Sequence, residues 1–389
     1  MGTYSDFRIG NFHLESGGNF STTTHQSIYL PTDSVTLNRE YEPKQVEGFR
    51  ATLRSILPRL ELLGSTLPAI KHRFDNPYVT YDEPHDIPFA DVLKLVRNVD
   101  LASLVEDDST DDHAGLLPAE YQKRLEDPVN GRYGQSPSWD LSTLLDRLNP
   151  YDTLRVLAER PENLDLVVQW DFMDVVESGY FERKDFSVGA DGQGFLLVTE
   201  GTSDTKVIQH AFAILRPEIA DFFQFVDMED NYPFGGHGNL MNFMTGLRSI
   251  GKADGVLAIF DNDTVGVLSL AALKKLGGIN AIKLPDLEEF KSFPTIGPSG
   301  EHLADINGKA AAIECYLKLP PDCRIRWTNY EQRAGTYQGS IDQTPKGKSA
   351  QQNEFLRSSR ADHYPFEKME TVLDLIVEAC IGCSVQQPE

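Results

Sequence analysis

The stretch Phe195-Leu-Leu-Val-Thr-Glu-Gly-Thr-Ser-Asp204 joins an apolar run to two carboxylates, and Val256-Leu-Ala-Ile-Phe-Asp-Asn-Asp263 repeats the arrangement about sixty residues later. Five consecutive, mostly apolar residues bounded by polar or glycine positions predict strands covered on both faces, as in a parallel sheet under helices. Successive parallel strands present their carboxyl ends on one edge, where open α/β sheets place their chemistry. Glu200, Asp204, Asp261 and Asp263 are therefore expected to converge. Four carboxylates at one edge repel each other unless something neutralises them, and hard divalent cations with oxygen ligands do that. The electrostatic argument predicts a site for Mg2+ or Mn2+.

The chain between the clusters fits such a sheet. Thr202 and Ser203 are N-cap residues by type, and Val207, Ile208, Ala211, Phe212 and Leu215 follow at helical spacing. Phe222 to Val226 reads as a second strand, and the glycine-rich turn Phe234-Gly-Gly-His-Gly-Asn239 leads into a helix through Leu240, Phe243, Met244 and Leu247. After the Asp261 strand come a helix through Leu268, Ala271, Ala272 and Leu276 and a short strand at Ala281–Leu284. The predicted core is a doubly wound, Rossmann-like α/β parallel sheet.

These residues resemble the Toprim domain, the fold shared by topoisomerases, bacterial primases, small ribosomal-RNA maturases and the overcoming-lysogenization-defect nucleases. The likeness rests on Glu-Gly-x-x-Asp at 200–204, a Gly-Gly turn before the second helix, and Asp-x-Asp at 261–263. It implies that Glu200 is the general acid/base or a metal ligand, that Asp261 and Asp263 hold one magnesium, and that Asp204 helps a second metal or orients the helix N-terminus. Position 265 is Val where topoisomerases usually carry a third Asp, which favours the nuclease-like branch. The start of the chain, Met1 to Gly10, also resembles the domain that precedes HEPN or Toprim modules in bacterial proteins. Together these imply domains at 1–188, 189–320 and 321–389, the last a basic extension with a terminal helix.

Further along, Asp305-Ile-Asn-Gly-Lys309 precedes an Ala-rich run to Leu317 that reads as a helix from about Gly308. Glu314 on its apolar face is costly unless paired or metal-bound, although an i,i+4 pair with Lys318 is the plainer reading. Lys309 is a candidate for stabilising charge on a phosphate. Cys380-Ile-Gly-Cys383 has zinc-knuckle spacing, with Cys315 and Cys323 as remote partners; reduced, partly buried thiols are the alternative. Arg357 and His363 superficially match a HEPN ribonuclease spacing but lack an apolar helix around them, and His237 reads as a surface residue. There is no P-loop, no His-Glu-x-x-His and no Gly-x-Ser-x-Gly, so ATP hydrolysis, zinc proteolysis and α/β-hydrolase chemistry are unsupported.

The amino-terminal half reads as alternating strand-like stretches over 1–35, then helices at Val46–Leu63, Phe89–Val96, Leu141–Leu148, Leu154–Leu157 and Val167–Val176. That makes it a mainly helical α+β module without a catalytic constellation, suited to recognition, oligomerisation or regulation. No secretory signal or long apolar run is evident, so the expectation is a soluble, cytoplasmic protein with no membrane association.

The net charge of −23 opposes nucleic-acid binding, which draws on Lys and Arg at phosphates. Part of the excess sits in one acidic loop around Glu106-Asp-Asp108 and Asp111-Asp112. Arg324, Arg326, Arg333, Lys346 and Lys348, interleaved with Trp327, Tyr330 and Tyr337, run the other way and suit strand tracking and base stacking. The expected function is magnesium-dependent cleavage of DNA or RNA, by analogy a bacterial anti-phage effector, with a protein partner or homo-oligomer contributing. The other reading is a non-catalytic metal- or nucleotide-binding sensor that acts through a partner.

Overall fold

The computed structural model describes residues 3–38, 44–76, 87–103, 144–145, 147–189, 194–226, 236–298, 300–342 and 348–384. The acidic loop around 106–112, half of Leu141–Leu148, the linker 190–193, Phe234, Gly235 and Lys346 lie outside the described residues. The chain forms two compact units, Met1–Gln193 and Gly194–Glu389.

The first unit is built on a five-stranded antiparallel sheet ordered β2-β1-β5-β4-β3, with β1 Tyr4–Ile9, β2 Phe12–Gly18, β3 Ser34–Asn38, β4 Gln45–Thr52 and β5 Val167–Asp171. Two stretches expected as helix are strands instead. Gln45–Thr52 pairs with β3 and β5, and the helix begins only at Leu53, where the Thr52 side chain accepts from the Ser55 amide. Gly48 sits at that crossing because a Cβ there would come within 2.8 Å of the Trp170 carbonyl. Val167–Asp171 is a central strand between β1 and β4, followed by a short helix at Met173–Glu177. Its β-branched and aromatic residues suit a covered ladder better than a helix. The unit's core gathers Phe7, Tyr29, Phe49, Trp170, Phe172 and Phe186, all at most 1 % exposed. This module is therefore more sheet-based than its apolar periodicity suggests.

The second unit holds a four-stranded, all-parallel sheet ordered β10-β8-β6-β7, from β6 Phe195–Thr199, β7 Phe223–Phe225, β8 Val256–Phe260 and β10 Asn280–Lys283. Side chains alternate across a strand, so β6 and β8 serve both faces. Val198, Val256, Ala258 and Phe260 pack with Leu240, Met244 and Leu273 from the helices His237–Ser249 and Thr264–Leu276. The helix Thr202–Leu215 buries Val207, Ile208, Ala211, Phe212 and Leu215 and contacts β6 and the last helix, Glu367–Ser384.

A second sheet, β12-β11-β14-β15, carries β11 Phe293–Gly297, β12 Gly300–Ala304, β14 Ile325–Glu331 and β15 Thr336–Ile341. The Ala-rich run does not form the expected helix. Ala310–Ala311 is a two-residue strand, β13, paired with β9 Asn262–Asp263, and only Ile313–Tyr316 makes a single 3-10 turn. Ala favours helix in isolation, but here the backbone groups are claimed by the strand that carries Asp263.

Candidate metal and catalytic site

Glu200 and Asp261 follow the last residues of β6 and β8, two hydrogen-bonded neighbours in the parallel sheet. The Asp261 amide donates to Glu200 Oε1 at 3.1 Å, so the two acidic motifs touch directly. Asp261 Oδ1 accepts from the Ile313 amide at 3.2 Å, which brings the 313–316 turn against the sheet edge. Asp263 caps the helix Thr264–Leu276: its Oδ1 accepts from the Gly266 amide at 2.7 Å and its Oδ2 from Gln338 Nε2 at 3.2 Å. Asp204, in the first turn of its helix, accepts from Ser203 Oγ at 3.2 Å and lines a small crevice with Thr199, Ile259, Asp261 and Ile313.

The carboxylates act on one another. Burial, with repulsion from Asp263 and Asp204, pushes Glu200 up to about 7, against the opposing pull of the Asp261 amide. Asp261 is held well above the usual carboxylate range by burial and then by Asp204, Glu200, Asp263 and Glu314 in turn. Each of these strongest charge influences is another carboxylate, so the edge concentrates negative charge in a medium that screens it poorly. Among the described residues, however, no three His, Cys, Asp or Glu side chains already close around one point as ion ligands. The donor set is hard oxygen, the kind that Mg2+ and Mn2+ take. Glu200, Asp204 and Asp261 are the groups that would hold it.

Glu314 is 7 % exposed and accepts from Gln352 Nε2 at 3.3 Å, while Lys318 pairs with Glu354 instead. Glu314 adds to the negative charge that raises Asp261. Lys309 lies beside Asp263 by a backbone bridge, but its ammonium donates to the Asp305 carbonyl at 3.2 Å. Of the basic residues, Arg324 pairs with Glu301 and Arg326 binds both oxygens of Asp342 at 2.8 and 2.9 Å. Arg333 is exposed at the β14–β15 turn, and Lys348 begins the helix Lys348–Phe355. Burial raises the thiols of Cys315, Cys323, Cys380 and Cys383, a direction opposed to the thiolates that zinc requires. Arg357 and His363 lie in irregular chain between two helices, and His237 is exposed at a helix start.

Two structural members of the site escaped the sequence. Asn262 is fully buried; its Nδ2 donates to Asp286 Oδ1 at 2.9 Å and to the Pro285 carbonyl at 3.1 Å. Its Oδ1 accepts from Lys283 Nζ at 2.9 Å and from the Gly308 amide at 2.8 Å, tying two segments, 283–286 and Gly308, to the strand end. At Gly266, a Cβ would lie 2.1 Å from the Asp261 carbonyl oxygen, so only glycine lets the helix start this close to the strand. The signal for Gly266 was the short step from strand end to helix start.

Residues 1–193 match the family model described as HEPN/Toprim N-terminal domain 1. The amino-terminal half belongs to the HEPN/Toprim N-terminal domain family. No curated protein and no solved structure matches the chain. A HEPN/Toprim N-terminal domain thus precedes, in this chain, a separate α/β unit whose sheet edge carries the carboxylates. No helix among the described residues is long and apolar enough to cross a membrane.

Proposed function

We propose that the second unit is a Toprim-like, Mg2+-dependent nuclease of the overcoming-lysogenization-defect type that hydrolyses phosphodiester bonds in DNA or RNA. The observation that carries the reading is the contact of Glu200 with the Asp261 amide, at the centre of a group of carboxylates whose charge helps to raise the pKa of both. The family of the first half supports it, since its description names HEPN and Toprim. Glu200, Asp204 and Asp261 would hold the cation, which when bound supplies Lewis-acid stabilisation of a phosphoryl oxygen.

The chain's own residues supply the rest. Glu200, raised to about 7 by burial, would either hold the cation or, where the cation leaves it free, take the proton from the attacking water. The amide of Asp261 fixes which Glu200 oxygen is occupied, leaving the other for the proton. Asp263 holds the helix start in place, and Glu314 adds to the negative charge felt by Asp261. A role in anti-phage defence, a cytoplasmic location and an activating protein partner follow as parts of the same proposal.

The direct test incubates the protein with plasmid, single-stranded DNA and structured RNA, with Mg2+, Mn2+ or EDTA, beside Asp261→Ala. Metal-dependent cleavage lost by about a hundredfold or more in the variant is the expected outcome. The net charge of −23, which opposes nucleic-acid binding, favours one other reading, a metal- or nucleotide-binding sensor without turnover. Glu200→Gln separates the two: a nuclease loses turnover, while a sensor keeps its ligand affinity within a few fold.

A further inference from the structure

The hairpin formed by β14 and β15 differs from the rest of this acidic chain. It presents two large exposed rings, Tyr330 at 55 % and Tyr337 at 43 % exposure. They are direct cross-strand partners, with centroids 5.1 Å apart and planes at 71°. The ladder shifts register between Trp327 and Asn329, and this bulge brings Trp327, opposite Gly339, and Tyr330, opposite Tyr337, to the same face. An aromatic stripe therefore runs from half-buried Trp327 to the exposed pair.

The strand that bears Tyr337 is anchored to the carboxylate edge. The next residue, Gln338, donates to Asp263 Oδ2 at 3.2 Å, and the Tyr337 carbonyl accepts from Thr264 Oγ1 at 3.4 Å. Within 324–342 three arginines face two carboxylates, a balance far from the net −23 of the whole chain. Two of those arginines are already engaged with Glu301 and Asp342, which leaves exposed Arg333 at the turn. Charge alone cannot then supply the affinity, whereas exposed aromatic rings bind any unpaired base through its π-face. A base inside a duplex has no free face to offer.

We infer that the β14–β15 hairpin is a stacking platform for unpaired bases, so that the nucleic acid delivered to the carboxylate edge is single-stranded. This rests on the proposed nuclease reading for its purpose, but binding on the platform is separable from cleavage. The test is fluorescence anisotropy of a labelled single-stranded oligonucleotide of about twenty thymidines, and of a mixed-sequence duplex of equal length, with the full chain in EDTA. Wild type binds the single strand more tightly than the duplex, and Tyr330→Ala and Tyr337→Ala each weaken it by roughly 5- to 150-fold. The Phe variants keep the affinity within a few fold. With little free charge at the platform, log K against log salt has a shallow slope, roughly −1.

Equal or tighter duplex binding, a steep slope, or Ala variants with native melting curves and unchanged affinity would each overturn the inference. So would a wild-type chain that binds no nucleic acid, which would mark the pair as a protein-facing surface. A readout free of mutation is photocrosslinking of a bromouracil-bearing single strand to the wild-type chain. Adducts at Tyr330 or Tyr337 support the platform, and adducts confined elsewhere reject it. If Asp261→Ala and wild type both bind but neither cleaves, the nuclease reading fails while the platform stands. Cleavage with a KM indifferent to both tyrosines sinks the platform alone.

Discussion

At the scale of single residues, the site is held by side chains that need never touch a substrate. Asn262 stands between the two aspartates and engages Lys283, Pro285, Asp286 and Gly308, so it locks the strand end to the loop that returns as β13. Removing its amide takes hydrogen bonds from four partly exposed partners, each bond worth about 0.5–1.5 kcal/mol. Asn262→Ala is expected to lower stability by about 2–4 kcal/mol in denaturant unfolding. It should also weaken divalent-ion binding by at least tenfold, read as a smaller melting shift on adding Mg2+. Gly266→Ala tests the same edge from the other side, because its Cβ would meet the Asp261 carbonyl at 2.1 Å. Backbone cannot give that much without moving Asp261, so metal-dependent activity should fall steeply, and a fully active variant would refute the packing argument.

At the scale of elements, the edge of the parallel sheet couples its chemistry to pH. Glu200 is raised to about 7 chiefly by burial, so below that value it carries a proton that a cation must displace. The sign follows: metal affinity falls as pH drops through 7, by about tenfold per unit for one competing proton. Titrating Mg2+ by calorimetry at pH 6, 7 and 8 checks this, and Glu200→Gln should flatten the dependence on this group.

The same edge shows why some elements were legible and others not. Phe195–Thr199 and Val256–Phe260 are short, unbroken apolar runs with carboxylates directly after them, a pattern with one physical solution. Gln45–Thr52 and Val167–Asp171 carry apolar residues at spacings that also suit a helix, and only pairing with distant strands decides between them. The Ala310 run has the highest helix propensity in its neighbourhood and still forms a strand, because Asn262 and Asp263 take its backbone. Glu200, Asp204, Asp261 and Asp263 could be placed from sequence because they lie next to those two strands. The contacts of Asn262 and Gln338 depend on the return of chain from 283 to 338, which no local spacing encodes.

At the scale of the whole molecule, the two units should answer to different solutes, because their sensitive groups are of opposite kinds. In the first unit His25 is buried, stacked on Phe7 at 3.8 Å, and burial lowers it to about 3. Its folded pKa lies below the ordinary value of 6.5, so the unfolded chain binds the extra proton between those limits. Stability of this unit is therefore complete above about 6.5 and declines by about 1.4 kcal/mol per pH unit below it. In the second unit a cation that binds only the folded carboxylate edge adds about 2.7 kcal/mol at a hundred times its dissociation constant. Each unit owns a core, so 1–193 and 194–389 are expected to fold when expressed separately. Scanning calorimetry of the two halves then gives a crossed result. Mg2+ raises only the melting temperature of 194–389, and Asp261→Ala removes that rise. Moving from pH 7 to pH 5 lowers the melting temperature of 1–193, and His25→Phe relieves most of the loss. A Mg2+ response in 1–193, or none in 194–389, would place the cation away from the Glu200–Asp261 edge and remove the ground for the nuclease proposal.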